Sequence, residues 1–214
     1  MGDHSPENLV VAEANREAAL LLANWRTWPG GALALIGPQG SGKTHLALAW
    51  ALENGARQLA ADSQVETAAR AFDDAGAVWI DDADGPHSDE TLIRVLDLAK
   101  SGRGPALLVG ASLPKFWQAS IPDLRSRLAA LGAAILGEPD KFLLEVVLRR
   151  HCRERFIELG HDAQVFLVEN MGQSFAAAHA VAQSLDELMV RGRKPVTVAQ
   201  ARRALAAAEQ AAKE

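Results

Sequence analysis

Eight consecutive residues, Gly37-Pro38-Gln39-Gly40-Ser41-Gly42-Lys43-Thr44, have the spacing G-x-x-x-x-G-K-[ST]. Glycines in that pattern let backbone N–H groups turn inward around phosphate oxygens without Cβ clashes. A helix that begins at the loop adds the positive end of its dipole. Lys43 then reaches the β- and γ-phosphates, and the Thr44 hydroxyl ligates Mg2+. The candidate nucleotide-binding residues are therefore Gly37, Pro38, Gln39, Gly40, Ser41, Gly42, Lys43, Thr44 and the adjoining His45. The bland alternative, a glycine loop that happens to precede a helix, is weakened by the apolar run before the loop and the helical pattern after it. A second chemical signal is Val78-Trp79-Ile80-Asp81-Asp82, an apolar run ending in two carboxylates. In phosphate-loop proteins such a strand is expected beside the loop, where its acid holds the Mg2+ shell. Asp81 is the candidate for that role. Asp82 is the candidate to orient or activate the attacking water, on a shorter arm than glutamate. A turn or helix-start aspartate pair is the alternative, and for Asp82 both readings stand. Asp84 and His87 are read as loop residues.

These residues need elements to position them. A helix pattern runs from Glu13 to about Trp25, after an extended arm over residues 1–12, and Pro29-Gly30-Gly31 breaks it. Ala32–Gly37 is a short, wholly apolar run, the pattern of a strand buried on both faces of a parallel sheet. A helix over His45–Asn54 follows, stopped by Gly55. Further strands are predicted near Arg57–Ala60, at Ala77–Ile80, at Ala106–Gly110 and at Ala133–Leu136. Helices are predicted over Gln64–Asp73 and Asp89–Lys100, with a helical stretch after Gly110. Alternation of this kind predicts a parallel sheet covered on both faces. The texture changes at Gly137-Glu138-Pro139. Beyond it, residues 140–159, 163–171, 174–190 and 197–212 read as helices separated by Gly160, Gly172 and Gly192, with Thr197 as an N-cap. The expected organisation is an α/β nucleotide-binding domain over 1–138 and a helical lid over 139–214.

Composition constrains the partners. The net charge of -5 argues weakly against a self-sufficient DNA-binding face, so direct DNA binding is expected to be weak or absent. The single cysteine, Cys152, excludes an internal disulfide and a cysteine-rich zinc site. Arg149, Arg150 and Arg153 could lower its pKa, against the plainer reading of an inert helix cysteine in a reducing compartment. No apolar run approaches the ~20 residues needed to cross a bilayer, and the start Met1–Glu7 lacks the pattern of a secretory signal. The expected location is the cytoplasm.

Gly42-Lys43-Thr44-His45-Leu46 with Ile80-Asp81-Asp82 resembles the AAA+ domain of the DnaA/Hda family of replication proteins. Pro122-Asp123-Leu124-Arg125-Ser126-Arg127-Leu128 is similar to that family's arginine-finger segment, and Glu7–Asn15 to its lead-in. The resemblance spans roughly residues 7–207. It implies an AAA+ P-loop NTPase domain with a parallel sheet, a small α-helical lid, and ADP or ATP with Mg2+. The chain ends at Glu214, soon after the lid, where an initiator would continue into a helix-turn-helix domain; this favours the short, Hda-like regulators. By the same resemblance Arg127 is the arginine finger, acting in trans on ATP held by a neighbouring subunit, and the DnaA initiator is the expected partner. An in-trans finger can be worth about 10³–10⁵ in rate. An ordinary surface ion pair is the alternative for Arg127, and Arg125 is a weaker candidate.

The chain also departs from the family. Ser112 is the nearest match to the sensor residue after the fourth strand. The lid's sensor arginine would fall near Ala176, in Gln173–His179, and no arginine is there. That removes a phosphate-contacting cation; His179 could substitute, against a purely structural role. The glutamine-and-leucine motif by which Hda-like proteins dock on the DNA sliding clamp is not found before Leu9, so the clamp is only a possible partner, as is a second copy of the chain. Arg149, Arg150, Arg153 and Arg155 are interrupted by Glu145, Glu154 and Glu158 and read as a solvated, ion-paired helix face. A second cluster comprises Arg191, Arg193, Lys194, Arg202 and Arg203. Most of Trp25, Trp28, Trp50, Trp79 and Trp117 suit core or pocket packing, and Trp25 or Trp28 is placed to border an adenine. Three functions compete: a regulator that stimulates DnaA's ATP hydrolysis, a nucleotide-gated interaction module without catalytic role, and an autonomous ATPase or kinase.

Overall fold

The computed structural model describes residues 12–188 and 195–211. Most of the lead-in segment, the stretch searched for a clamp motif, and Arg191, Arg193 and Lys194 lie outside the described residues. The chain divides into two compact units, Met1–Gly137 and Glu138–Glu214.

The first unit is built on five short parallel strands: β1 (Ala32–Ile36), β2 (Arg57–Leu59), β3 (Val78–Ile80), β4 (Ala106–Gly110) and β5 (Ala133–Ile135). Their order across the sheet is β2-β3-β4-β1-β5. Side chains alternate across a strand, and the apolar runs use both faces. Ala32, Ala34 and Ile36 of β1 join Val78, Ile80, Ala106 and Leu108 in one core. That core is covered by α3 (Val65–Ala75), α4 (Asp89–Lys100) and α5 (Pro122–Ala130). Leu33 and Leu35 face the other way, with Trp79, Leu107 and Val109, into a core closed by α1 (Glu13–Ala23) and α2 (Lys43–Asn54). A strand buried on both faces has no room for alternation of polar residues, hence the unbroken apolar runs.

Trp28 belongs to this second core. Its ring stacks on Trp50 with centroids 5.4 Å apart, and its indole N–H donates to the Leu21 carbonyl at 2.8 Å. Trp28 is thus packed in the core, as expected for most of the tryptophans. Trp25 is half-buried, with the Arg26 guanidinium 4.4 Å from its ring centroid.

The second unit contains α6 (Lys141–Glu154), α7 (His161–Asn170), α8 (Phe175–Leu188) and α9 (Val198–Ala211). Asp140 caps α6 by accepting the Leu143 N–H at 2.7 Å. Alanines at 178, 182, 201, 204 and 208 are buried and let α8 and α9 approach closely. Helix α6 stops at Glu154, short of the predicted residue 159. Phe156 has φ +58°, a left-handed turn that cannot continue a helix, and beyond it Leu159 forms a parallel bridge with Val196. Thr197 precedes α9 as expected, but the side chain of Gln200 accepts from both its N–H (2.9 Å) and its hydroxyl (3.0 Å).

Cys152 is buried against this core, and burial pushes its thiol up to about 12, with Arg155 opposing. The inert reading holds, and the shift is opposite to the activation considered from its basic neighbours. No helix among the described residues is long and apolar enough to cross a membrane.

Candidate functional site

The phosphate loop leaves the C-terminal end of β1 and enters α2 at Lys43. Gly40 and Gly42 take φ values of +77° and +88°, the left-handed region that side chains other than glycine's rarely tolerate. No side chain caps the first turn of α2 at Gly42, so its amides are available to an anion. Lys43 folds back over the loop and donates to the carbonyls of Gly37 (2.8 Å) and Pro38 (2.9 Å). The Ser41 hydroxyl is buried without a hydrogen-bond partner among the described residues. Pro38, Gln39 and Thr44 are exposed, and Gly40, Gly42 and His45 half-buried.

The acidic strand is not the hydrogen-bonded neighbour of β1, because strand β4 lies between β1 and β3. Because all five strands point the same way, their C-terminal ends share one edge. Asp81 still reaches across, accepting from the Thr44 hydroxyl at 3.0 Å. Its second oxygen accepts the N–H of Asp82 at 3.1 Å. Asp82 itself is exposed at φ +49°, a turn conformation that aspartate adopts more readily than most residues. Among the described residues no group of three or more His, Cys, Asp or Glu could hold a metal by itself. A hydroxyl and one carboxylate are nevertheless the donor set that suits Mg2+, which is usually held by one or two carboxylates plus phosphate oxygens and water.

Three residues beyond the predicted set organise this edge. Asp84 Oδ2 accepts the N–H groups of Ala111 (2.7 Å) and Ser112 (3.2 Å), and lies 3.4 Å from the Ser112 hydroxyl. It therefore ties the acidic loop to the loop after β4, and the Trp117 indole N–H donates to the Ser112 carbonyl at 2.7 Å. His87 Nε2 lies 3.3 Å from Asp89 Oδ1, with both side chains largely buried. Asp84 and His87 lie in the loop, as read from the sequence, and these contacts fix them there. The signal was the density of acids in a short strand-to-helix loop, where carboxylates find free backbone N–H groups.

Solved structures share this architecture. Domain III of the Thermotoga maritima replication initiation protein DnaA superposes with a TM-score of 0.75 at 19% identity, covering 97% of both chains. The chain has an AAA+ fold. A replication initiator DnaA bound to AMPPCP and single-stranded DNA gives a TM-score of 0.59 at 14% identity, covering 98% of this chain and 91% of that one. The Thermotoga maritima RuvB Holliday junction branch migration motor gives 0.71 at 18% identity, covering 96% of this chain and 72% of its own. No protein-family model and no curated protein matches the sequence.

Within the AAA+ fold Arg127 lies in the last turn of α5, engaged by two carboxylates. Its Nε donates to Asp123 Oδ2 at 2.8 Å and its Nη1 to Asp97 of α4. The Asp97 hydrogen bond is the main reason its pKa is raised, with partial desolvation opposing. Arg125 is exposed and its Nε donates to the Ala119 carbonyl at 3.0 Å. In the helical unit Ala176 is exposed near the start of α8. His179, also exposed, meets His151 edge-on at 5.1 Å. Burial lowers the pKa of His151, opposed by Glu154. Two of the α6 arginines are ion-paired, Arg149 with Glu145 at 3.0 Å and Arg150 with Glu154 at 3.7 Å. In α9, the Arg202 guanidinium lies 4.9 Å from the centre of the Phe166 ring.

Proposed function

We propose that this chain is a cytoplasmic, Hda-like regulator of chromosome replication initiation, binding ADP or ATP and stimulating ATP hydrolysis by the DnaA initiator through Arg127. The observation that carries the reading is the Thr44–Asp81 contact at 3.0 Å beside a left-handed glycine loop. It supports a phosphate cradle with a metal-side hydroxyl and carboxylate already paired. The likeness to a DnaA structure bound to AMPPCP supports adenine as the base.

In this reading Lys43 exchanges two neutral carbonyls for phosphate oxygens, and the unpartnered Ser41 hydroxyl lies in the loop wall. Thr44 and Asp81 hold Mg2+, which neutralises phosphate charge when bound. Asp82, exposed at the strand end, orients water. Arg127 acts at the partner's nucleotide, where its guanidinium stabilises charge on the transferring phosphoryl group. The sliding clamp and a second copy of the chain are secondary partners in this proposal, and binding to DNA itself is weak or absent.

The test is the ATPase rate of DnaA with the wild-type chain and with Arg127→Ala. Loss of stimulation is expected; an unchanged rate removes the finger. Two observations favour a second reading, a nucleotide-gated interaction module with no catalytic role: Arg127 is engaged within its own chain, and Ala176 stands where a lid cation is expected. Nucleotide-dependent partner binding without hydrolysis above background would select it. Steady turnover by the isolated chain would select an autonomous ATPase.

A further inference from the structure

A run of close polar contacts leads from the acidic loop to the segment that enters the helix carrying Arg127. The Asp82 carbonyl accepts the Gly85 N–H at 2.9 Å, and the Gly85 carbonyl faces His87 Nδ1 at 2.9 Å. The other ring nitrogen lies 3.3 Å from Asp89 Oδ1, where the two side chains are 3% and 12% exposed. Asp89 Oδ2 then accepts the N–H groups of Ser120 (2.6 Å) and Ile121 (2.8 Å). Ile121 is the cap position of α5 and has no side chain able to cap it; Asp89 holds the two amides just ahead of the helix and places an anion near its positive end. Asp89 is also the first residue of α4. Asp97, eight residues and about 12 Å further along the same helix, holds Arg127. Helix α4 thus holds the chain just ahead of α5 and again at Arg127.

We propose that His87 and Asp89 are positioning residues for Arg127, transmitting the state of the acidic loop to helix α5. The inference rests on the nucleotide-binding and finger readings above. The loop that bears Asp81 closes on itself through Asp82 and Gly85, so a shift of Asp81 on metal or phosphate binding moves the Gly85 carbonyl. The imidazole, enclosed with an acceptor at each ring nitrogen, cannot follow one without disturbing the other. Buried polar links transmit such shifts because a half-made hydrogen bond there is costly. A simple staple would hold α5 equally well in every nucleotide state; a positioning pair makes its mobility depend on that state.

Hydrogen–deuterium exchange on the full chain, with and without ADP and Mg2+, separates the two. In the wild type, nucleotide is expected to slow the phosphate loop and, by about threefold or more, the amides of Ser120, Ile121 and the first turn of α5. His87→Gln is expected to bind nucleotide within about twofold of wild type and keep protection at 37–44, while the α5 response disappears. Asp89→Asn, which keeps a neutral acceptor for the two amides, is expected to do the same and serves if the first variant does not fold. An α5 response that persists in either folded variant overturns the proposal. A wild-type chain that responds at 37–44 but not at α5 overturns it without any variant. Silence at both segments overturns the nucleotide reading, and the proposal with it.

Discussion

Lys43 and Arg127 are the two leading candidates for contact with phosphate, and the protein holds them in opposite ways. Lys43 rests on two uncharged carbonyls of its own loop; Arg127 is held by the carboxylates of Asp97 and Asp123. Neutral acceptors release an ammonium group readily to a phosphate, whose charge makes the new hydrogen bonds roughly twice as strong. Carboxylates compete with phosphate on nearly equal terms. The phosphate loop is therefore ready for a ligand, whereas helix α5 keeps its arginine engaged until something displaces the carboxylates. In the proposed composite site, a lysine resting on neutral carbonyls and a trans-acting arginine restrained by carboxylates would keep catalysis dependent on docking.

The contrast can be broken most forcefully at Arg127. Arg127→Ala should reduce stimulation of DnaA's ATPase by about 10³-fold or more, with nucleotide binding by the chain itself intact; a turnover assay and a titration on the same preparation check both halves. Lys43→Ala should weaken nucleotide binding by about 10- to 100-fold, the loss of charge-assisted contacts worth about 1.5–3 kcal/mol, as read by calorimetry. Asp97→Asn sharpens the comparison from the other side. With one restraining anion removed, stimulation should rise by about twofold to fivefold, because a partly exposed ion pair is worth at most about 1 kcal/mol; a fall would show that Asp97 orients the arginine productively.

The smallest effect lies away from both cations, at Cys152. Its thiol is raised from 9.0 to about 12 by burial, so the folded state holds the proton more tightly than the unfolded one. The resulting stability is fully present below pH 9 and is lost as pH rises toward 12. The difference in urea midpoint between wild type and Cys152→Ala should shrink between pH 8 and pH 10.5, and a thiol reagent at pH 8 should label the native chain far more slowly than the unfolded one.

What the sequence made legible follows from range. The loop spacing and the apolar runs are local, and β1, β3, β4 and α4 lie where those patterns put them. Strand order is set by non-local pairing, and the insertion of β4 between β1 and β3 left no mark in either strand. Helix α6 read too long because Phe156 and Ile157 continue an apolar pattern, while the backbone turns left-handed at Phe156. In the site, Thr44 and Asp81 were individually readable from their motifs, but their contact spans 37 residues. Asp84 and Asp89 were missed for a related reason. Their partners at Ala111, Ser112, Ser120 and Ile121 are backbone amides, which any residue type supplies and no motif records; His87 was missed with them, because it is held between the Gly85 carbonyl and Asp89.

The central claim is that the loop from Gly37 to Thr44 encloses a polyphosphate neutralised by Lys43. Calorimetry of the wild-type chain with ADP and ATP, in the presence and absence of Mg2+, tests it most directly. The account predicts one nucleotide bound per chain, more tightly with Mg2+; failure to bind either nucleotide at millimolar concentration, with or without the metal, would contradict it.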